Sequence, residues 1–215
     1  RAYFQVATLP SAENRIMTVT SGADVDMAYI TIDNTGVLRL YDEDGVIGSP
    51  SSALSTNTWY YIELQFNRAP APGSEVVRAR LDGTEFAGAA AQNITNGVRL
   101  LRLGGNLASE TQTTGNWYFD DIAVNNSTGS FQNSYPGSSE IIHLRPNAAG
   151  DTDAWDATTT YEDIDEVTPD NATTLISTLT AEDTHEVNID ATPAGLESGD
   201  TINCVQVGVR FNESV

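Results

Sequence analysis

The sequence of 215 residues contains no lysine: all ten basic residues are arginines, set against 30 Asp and Glu for a formal net charge of −20. Proteins that grip nucleic acid do so by neutralising phosphates with Lys and Arg, so nucleic acid is not an expected partner. No uncharged apolar run reaches the roughly 18 residues that a membrane-spanning helix needs, so no membrane partner is expected either. Cysteine is nearly absent. Cys204 stands alone, which rules out a disulfide framework within the chain and points to a small buried side chain in a strand. Only two histidines occur, His143 and His185, far apart and without a serine in an elbow motif, so neither a catalytic triad nor a zinc site is expected of them. Glycine-rich phosphate loops are also missing. A chain that starts at Arg1 rather than Met reads as a processed chain or a segment of a longer protein.

What is present is short alternating runs of Val, Ile, Thr, Tyr and Phe between turn signals, the pattern of an all-β protein. In Trp59 to Phe66 the even positions Tyr60, Ile62, Leu64 and Phe66 share one face, which should be core, and Trp59, Tyr61, Glu63 and Gln65 share the other. Glu75 to Asp82 alternates likewise, and Asp82-Gly83 predicts a tight hairpin continuing through Phe86. A second hairpin is predicted around Asn34-Thr35-Gly36, with another turn at Asp42 to Gly45. Further strands are predicted over Ala2 to Thr8, Arg15 to Thr20, Val98 to Leu103 and Trp117 to Val124. Adjacent Leu100 and Leu101 break the alternation, which calls for a bulge or a strand apolar on both faces. Antiparallel strands at this spacing fit a two-sheet β-sandwich.

Charge divides the chain. Residues 1–145 carry a net of −6 and residues 146–215 a net of −14, with Pro146 to Asp151 composed like an exposed linker at the change. Two domains are therefore expected, a sandwich over 1–145 and a smaller acidic β module over 146–215. The second should hold strands at Thr173 to Leu179, His185 to Asp190 and Thr201 to Phe211. So few aromatics make a thin core, so the module is expected to be incomplete or docked on a neighbour.

The strings Asn57-Thr58-Trp59-Tyr60-Tyr61-Ile62-Glu63-Leu64, Arg80-Leu81-Asp82-Gly83 and Asn116-Trp117-Tyr118-Phe119-Asp120-Asp121-Ile122-Ala123-Val124 resemble successive strands of concanavalin A-like (laminin-G-like) jelly-roll domains. The continuation, through Ser130 to Gly137, Ile141 to Asp151, Trp155, Asp163-Ile164-Asp165-Glu166, Pro169-Asp170 and Ile202 to Val209, resembles the layout of tailed-phage virion structural proteins. Those carry such a jelly roll followed by a strand module. The resemblance implies a structural, non-enzymatic role on the virion exterior, as a head decoration, fibre or tail-associated protein. Its partners would be other virion proteins, with a homo-oligomer expected.

Several residues invite chemistry. Glu162 and Glu166 would flank Ile164 on one face of a strand, at about 13 Å, whereas a retaining glycosidase needs its carboxyls about 5 to 5.5 Å apart. No catalytic residue is assigned, and no cofactor is expected beyond a structural Ca²⁺. Asp120 and Asp121 are the candidates for that ion, since alternation sets one of them among apolar neighbours where a carboxylate needs an Arg, an N–H group or a metal. Asp42 with Asp44, Asp24 with Asp26, and Asp151 with Asp153 mimic fragments of calcium loops, but read more simply as turn formers. Trp59, Tyr61 and Trp117 are the candidate carbohydrate-binding residues. They support an alternative reading as a lectin-like adhesin domain for host-surface glycans, with a sheet face for its site.

Overall fold

The computed structural model describes residues 1–22, 25–67, 75–92, 97–104, 114–128, 133–142, 144–155, 161–163, 184–189 and 202. Among the described residues, ten strands precede Glu140: β1 (Ala2–Thr8), β2 (Asn14–Ser21), β3 (Asp26–Ile32), β4 (Leu38–Asp42), β5 (Val46–Ile47), β6 (Trp59–Asn67), β7 (Glu75–Leu81), β8 (Thr84–Gln92), β9 (Val98–Leu103) and β10 (Asn116–Asp120). They make two five-stranded antiparallel sheets, ordered β10-β1-β6-β7-β8 and β5-β4-β3-β2-β9. One apolar layer lies between them. It takes Phe4 and Val6 from β1, Ile62 from β6 and Val77 and Ala79 from β7 on one side, and Met17, Ile30, Ile32, Leu38 and Leu40 from the facing sheet. The unit is a β-sandwich.

Period-two alternation explains which residues enter that layer. In β1 Ala2, Phe4 and Val6 are buried, and Phe4 meets Phe119 of β10 with ring centroids 5.3 Å apart. In β6 Ile62 is buried and Tyr60, Leu64 and Phe66 pack against the core, as the even-face pattern predicts. β2 differs, being buried on both faces from Met17 to Ser21. Its outward residues are small, and Thr18 lies in register between Tyr29 of β3 and Arg102 of β9, so larger neighbours cover it.

The turns follow local chemistry. Asp82 and Gly83 both take positive φ (48° and 77°), the geometry of a two-residue hairpin turn, and β8 runs well past Phe86 to Gln92. Gly36 (φ 82°) closes the β3–β4 turn, where a Cβ would sit 2.9 Å from the Leu54 carbonyl oxygen. On β9 the register with β2 skips Arg99, a bulge immediately before Leu100 and Leu101. Both leucines stay partly exposed because β9 is an edge strand.

The chain divides between Glu140 and Ile141. The Pro146 to Asp151 segment, expected to be a linker, is instead part of strand β11 (Pro146–Asp153), which pairs antiparallel with β12 (His185–Ile189). Its small residues allow close approach: a Cβ on Gly150 would fall 2.6 Å from the Glu186 backbone. Pro146 occupies the first strand position, where its missing N–H is tolerated. The predicted strand at 173–179 and Cys204 lie outside the described residues, as does the predicted strand at 201–211 except for Ile202, which is not in a strand.

Full-chain urea unfolding should show Phe4→Ala destabilised by about 3–5 kcal/mol and Gly36→Ala by about 1–2 kcal/mol from its left-handed φ. A Phe4→Ala loss below that of Gly36→Ala would mean that Phe4 does not sit in a shared core.

Candidate functional site

Sheet register decides which sequence candidates meet. Gln5 pairs with Trp59 on one side and Tyr118 on the other, and Tyr3 pairs with Tyr61 and Asp120. The outward face of the first sheet thus carries a row Trp59–Gln5–Tyr118 above a row Tyr61–Tyr3–Asp120. Trp59 is 44% and Tyr118 53% exposed, and the Tyr3 and Tyr61 ring centroids are 5.7 Å apart. Trp117 does not join them. It pairs with Val6, whose side chain points inward, and it packs against the core beside Gly115. Alternation separates Trp117 from Tyr118, but only the β1–β10 pairing says which of them faces out.

The other end of this face is covered by residues 133–140. The Tyr135 hydroxyl donates to Gln65 Oε1 (2.8 Å), and the Tyr135 ring lies 3.5 Å from the Arg80 guanidinium carbon. The Gly137 N–H donates to Glu63 Oε1 (2.7 Å). The Arg1 guanidinium donates to the carbonyls of Gly137 (3.1 Å), Ser139 (2.7 Å) and Asp121 (2.7 Å), and to the Ser139 hydroxyl. Tyr3 and Ser138 hydroxyls meet at 3.1 Å. This strap explains a feature that alternation misses: Glu63 points away from the core and is still only 2% exposed.

Asp120 and Asp121 are positioned by backbone. Asp120 Oδ1 accepts from the Asp121 N–H (2.8 Å), and Asp121 takes a left-handed φ of 45° at the end of β10. A calcium ion wants six to eight oxygens, and no group of three or more His, Cys, Asp or Glu side chains that could hold a metal occurs among the described residues. The pair alone falls short of such a shell.

The other acids are placed mainly by turns and pairs. Asp42 Oδ1 accepts from the Asp44 and Gly45 N–H groups (2.9 and 3.0 Å), Asp26 pairs with Arg15, and Asp82 Oδ1 accepts from the Tyr61 N–H (2.9 Å). Asp24 lies outside the described residues, and Asp151 and Asp153 belong to β11. Glu162 begins no extended row: Tyr161–Asp163 is a 3₁₀ turn, and Glu166 lies outside the described residues. His185 packs near Trp155 (centroids 6.1 Å apart), while His143 lies outside the described residues.

A second surface, built from residues that no sequence motif singles out, lies on the outward face of the other sheet. Arg15 of β2 covers the Tyr29 ring at 4.0 Å, and Tyr29 stacks on Tyr41 of β4 at 4.9 Å with planes 6° apart. Glu13 Oε1 accepts from the Tyr41 hydroxyl (2.8 Å) and the Thr31 hydroxyl (2.6 Å). These residues, with Ala12 and Asn14, line a shallow open cavity of about 390 Å³. Burial first, then the hydrogen bond to and charge of Glu13, push the Tyr41 phenol up to about 12, so it is a neutral donor at ordinary pH. Alternation does put Tyr29 and Thr31 opposite Ile30 and Ile32; the register that stacks Tyr29 on Tyr41 comes from the hairpin.

Compared with protein families, curated proteins and solved structures, the chain matches none of them.

Asp33 supplies a pH handle beside this surface. Desolvation acts to raise its pKa, but hydrogen bonds from Arg39 (2.6 Å), the Thr35 side chain (2.6 Å) and the Thr35 and Val37 N–H groups outweigh it and bring the carboxyl down to about 2. A depressed folded-state pKa contributes stability that is complete above the ordinary value of 3.8 and is lost as pH falls toward about 2. The drop in thermal midpoint between those pH values should be smaller in Asp33→Asn than in the parent chain; equal drops would show that Asp33 is not held in its charged form.

Proposed function

We propose that the chain is a non-enzymatic structural component of the exterior of a virus particle, a head decoration, fibre or tail-associated protein built on a concanavalin A-like jelly roll. It acts by multivalent protein–protein assembly, as a homo-oligomer beside other virion proteins. Repetition of modest contacts raises effective concentration, so no single contact has to be tight. The observation that carries this reading is the use made of acids in the sandwich. Asp26, Asp33, Asp42, Glu63 and Asp82 are each bonded to a turn, an arginine or a strap N–H. They act as framework groups, and no two of them face each other across a cleft as reacting carboxylates would. The resemblance of 57–64, 80–83 and 116–124 to jelly-roll strands supports the same reading. Light scattering of the full chain should report a closed oligomer, and mass spectrometry with imaging of particles should find many ordered copies. A strictly monomeric chain missing from such particles contradicts the proposal.

A lectin-like adhesin is the second reading, favoured by the exposed Trp59 and Tyr118 on either side of Gln5. Aromatic faces flanked by an amide suit a sugar ring, which has an apolar face and a polar edge. On a glycan array, signal from the parent chain that disappears in Trp59→Ala with unchanged thermal stability favours this reading; a blank array counts against it.

A further inference from the structure

We propose that the outer edge of β9 binds an acidic extended segment of a partner protein, which joins the second sheet as an added strand. The proposal rests on the assembly reading, within which it names the chemistry of one contact. Among the described residues β9 pairs with β2 on one side and with no strand on the other. Alternate N–H and C=O groups along that side therefore point outward, ready to pair. The other three sheet edges differ: β5 is two residues long, β8 carries Ala87, Ala89 and Ala90, and β10 ends in Asp120.

The β9 edge is apolar on both of its faces. Val98, Leu100 and Leu101 are all exposed. Leu101 lies in register with the buried Val19, and Leu103 on the same side packs against the core, yet Leu101 keeps 37% of its surface open. A leucine on the core side of its sheet that stays open marks a seam at this border of the sandwich. An apolar side chain on an incoming strand closes that seam and is itself taken from water.

Charge names the partner. In a chain of net charge −20, residues 86–109 hold no Asp or Glu, and Arg99 and Arg102 are their only charged residues. The Arg99 guanidinium donates to the Gly22 carbonyl (3.1 Å), and no carboxylate lies within salt-bridge distance of it among the described residues. Pairing β9 with β9 of a second copy would gather arginines with no acid between them, and like charges on facing strands repel. An acid opposite Arg102 or beside Arg99 is attracted instead. Arg102 is in register with the outward Thr18, so an acid opposite it lies on the outward face, and the residues flanking that acid fall on the side of Leu101 and Leu103. The strand that fits alternates acids with apolar residues.

The test is fluorescence anisotropy of the full chain with three labelled peptides: Thr-Val-Glu-Val-Glu-Val-Thr, its counterpart with Arg for Glu, and one with Pro for the central Val. The Glu peptide should bind saturably and slow amide exchange along β9. The Arg peptide should not bind, and neither should the Pro peptide, which lacks an N–H for the edge. Arg99→Glu combined with Arg102→Glu should weaken the Glu peptide by about tenfold or more and bring in the Arg peptide. Should that variant melt early, Arg99→Gln, at an exposed side chain, gives the same loss at smaller amplitude. No binding of the Glu peptide, equal binding of the Arg or Pro peptide, or Glu-peptide binding that survives the charge reversal overturns the proposal. So does self-association of the full chain that the reversal abolishes, since a second copy is then the occupant. A monomeric chain that binds the Glu peptide supports this contact and counts against the homo-oligomer alone.

Discussion

The first unit depends on a single apolar layer that neither sheet could form alone. A sheet with one apolar face must bury it against something, and Phe4, Ile62 and Val77 meet Ile30, Ile32 and Leu40 in that layer. Once the inward positions are committed to it, alternation sends every second residue to an outer face. The outward residues of β1 and β6 become a tyrosine and tryptophan surface, and those of β3 and β4 become the Tyr29–Tyr41 stack. The two candidate surfaces are thus products of the core.

The two faces are finished differently. On the first sheet a strap from Asn133 to Glu140 closes over Glu63 and Gln65, with the Arg1 guanidinium tying strap carbonyls to Asp121. A buried carboxylate needs partners, and the Gly137 N–H gives Glu63 one. On the second sheet, the stack and the Glu13 bonds stay open to the cavity. One face is sealed at one end by chain, and the other keeps a concavity.

Most strands of the sandwich were legible from alternation, although the short β5 was not expected and β10 stops at Asp120 instead of running on to Val124; the Asp82-Gly83 and Asn34 to Gly36 turns were legible too, because their residues demand that geometry. Pairing was not legible. Trp117 and Tyr118 differ by one position, and only register with Val6 and Gln5 assigns the tryptophan to the core side and the tyrosine to the surface. The burial of Glu63 depends on Gly137, 74 positions away, and no local pattern signals it. Pro146 to Asp151 misled for a physical reason: small residues and proline suit a loop, and they equally suit a strand whose partner backbone comes close at Gly150. The turn-forming role of Asp42 was legible, since an aspartate followed closely by glycine bonds its own backbone.

Residue-resolved amide hydrogen exchange on the full chain tests the shared layer most directly. Amides of β1 and β6 in one sheet and β3 in the other should exchange with the same, largest opening free energy and shift together in Phe4→Ala. Two sheets opening with separate free energies, or a Phe4→Ala effect confined to the first sheet, would contradict a common core.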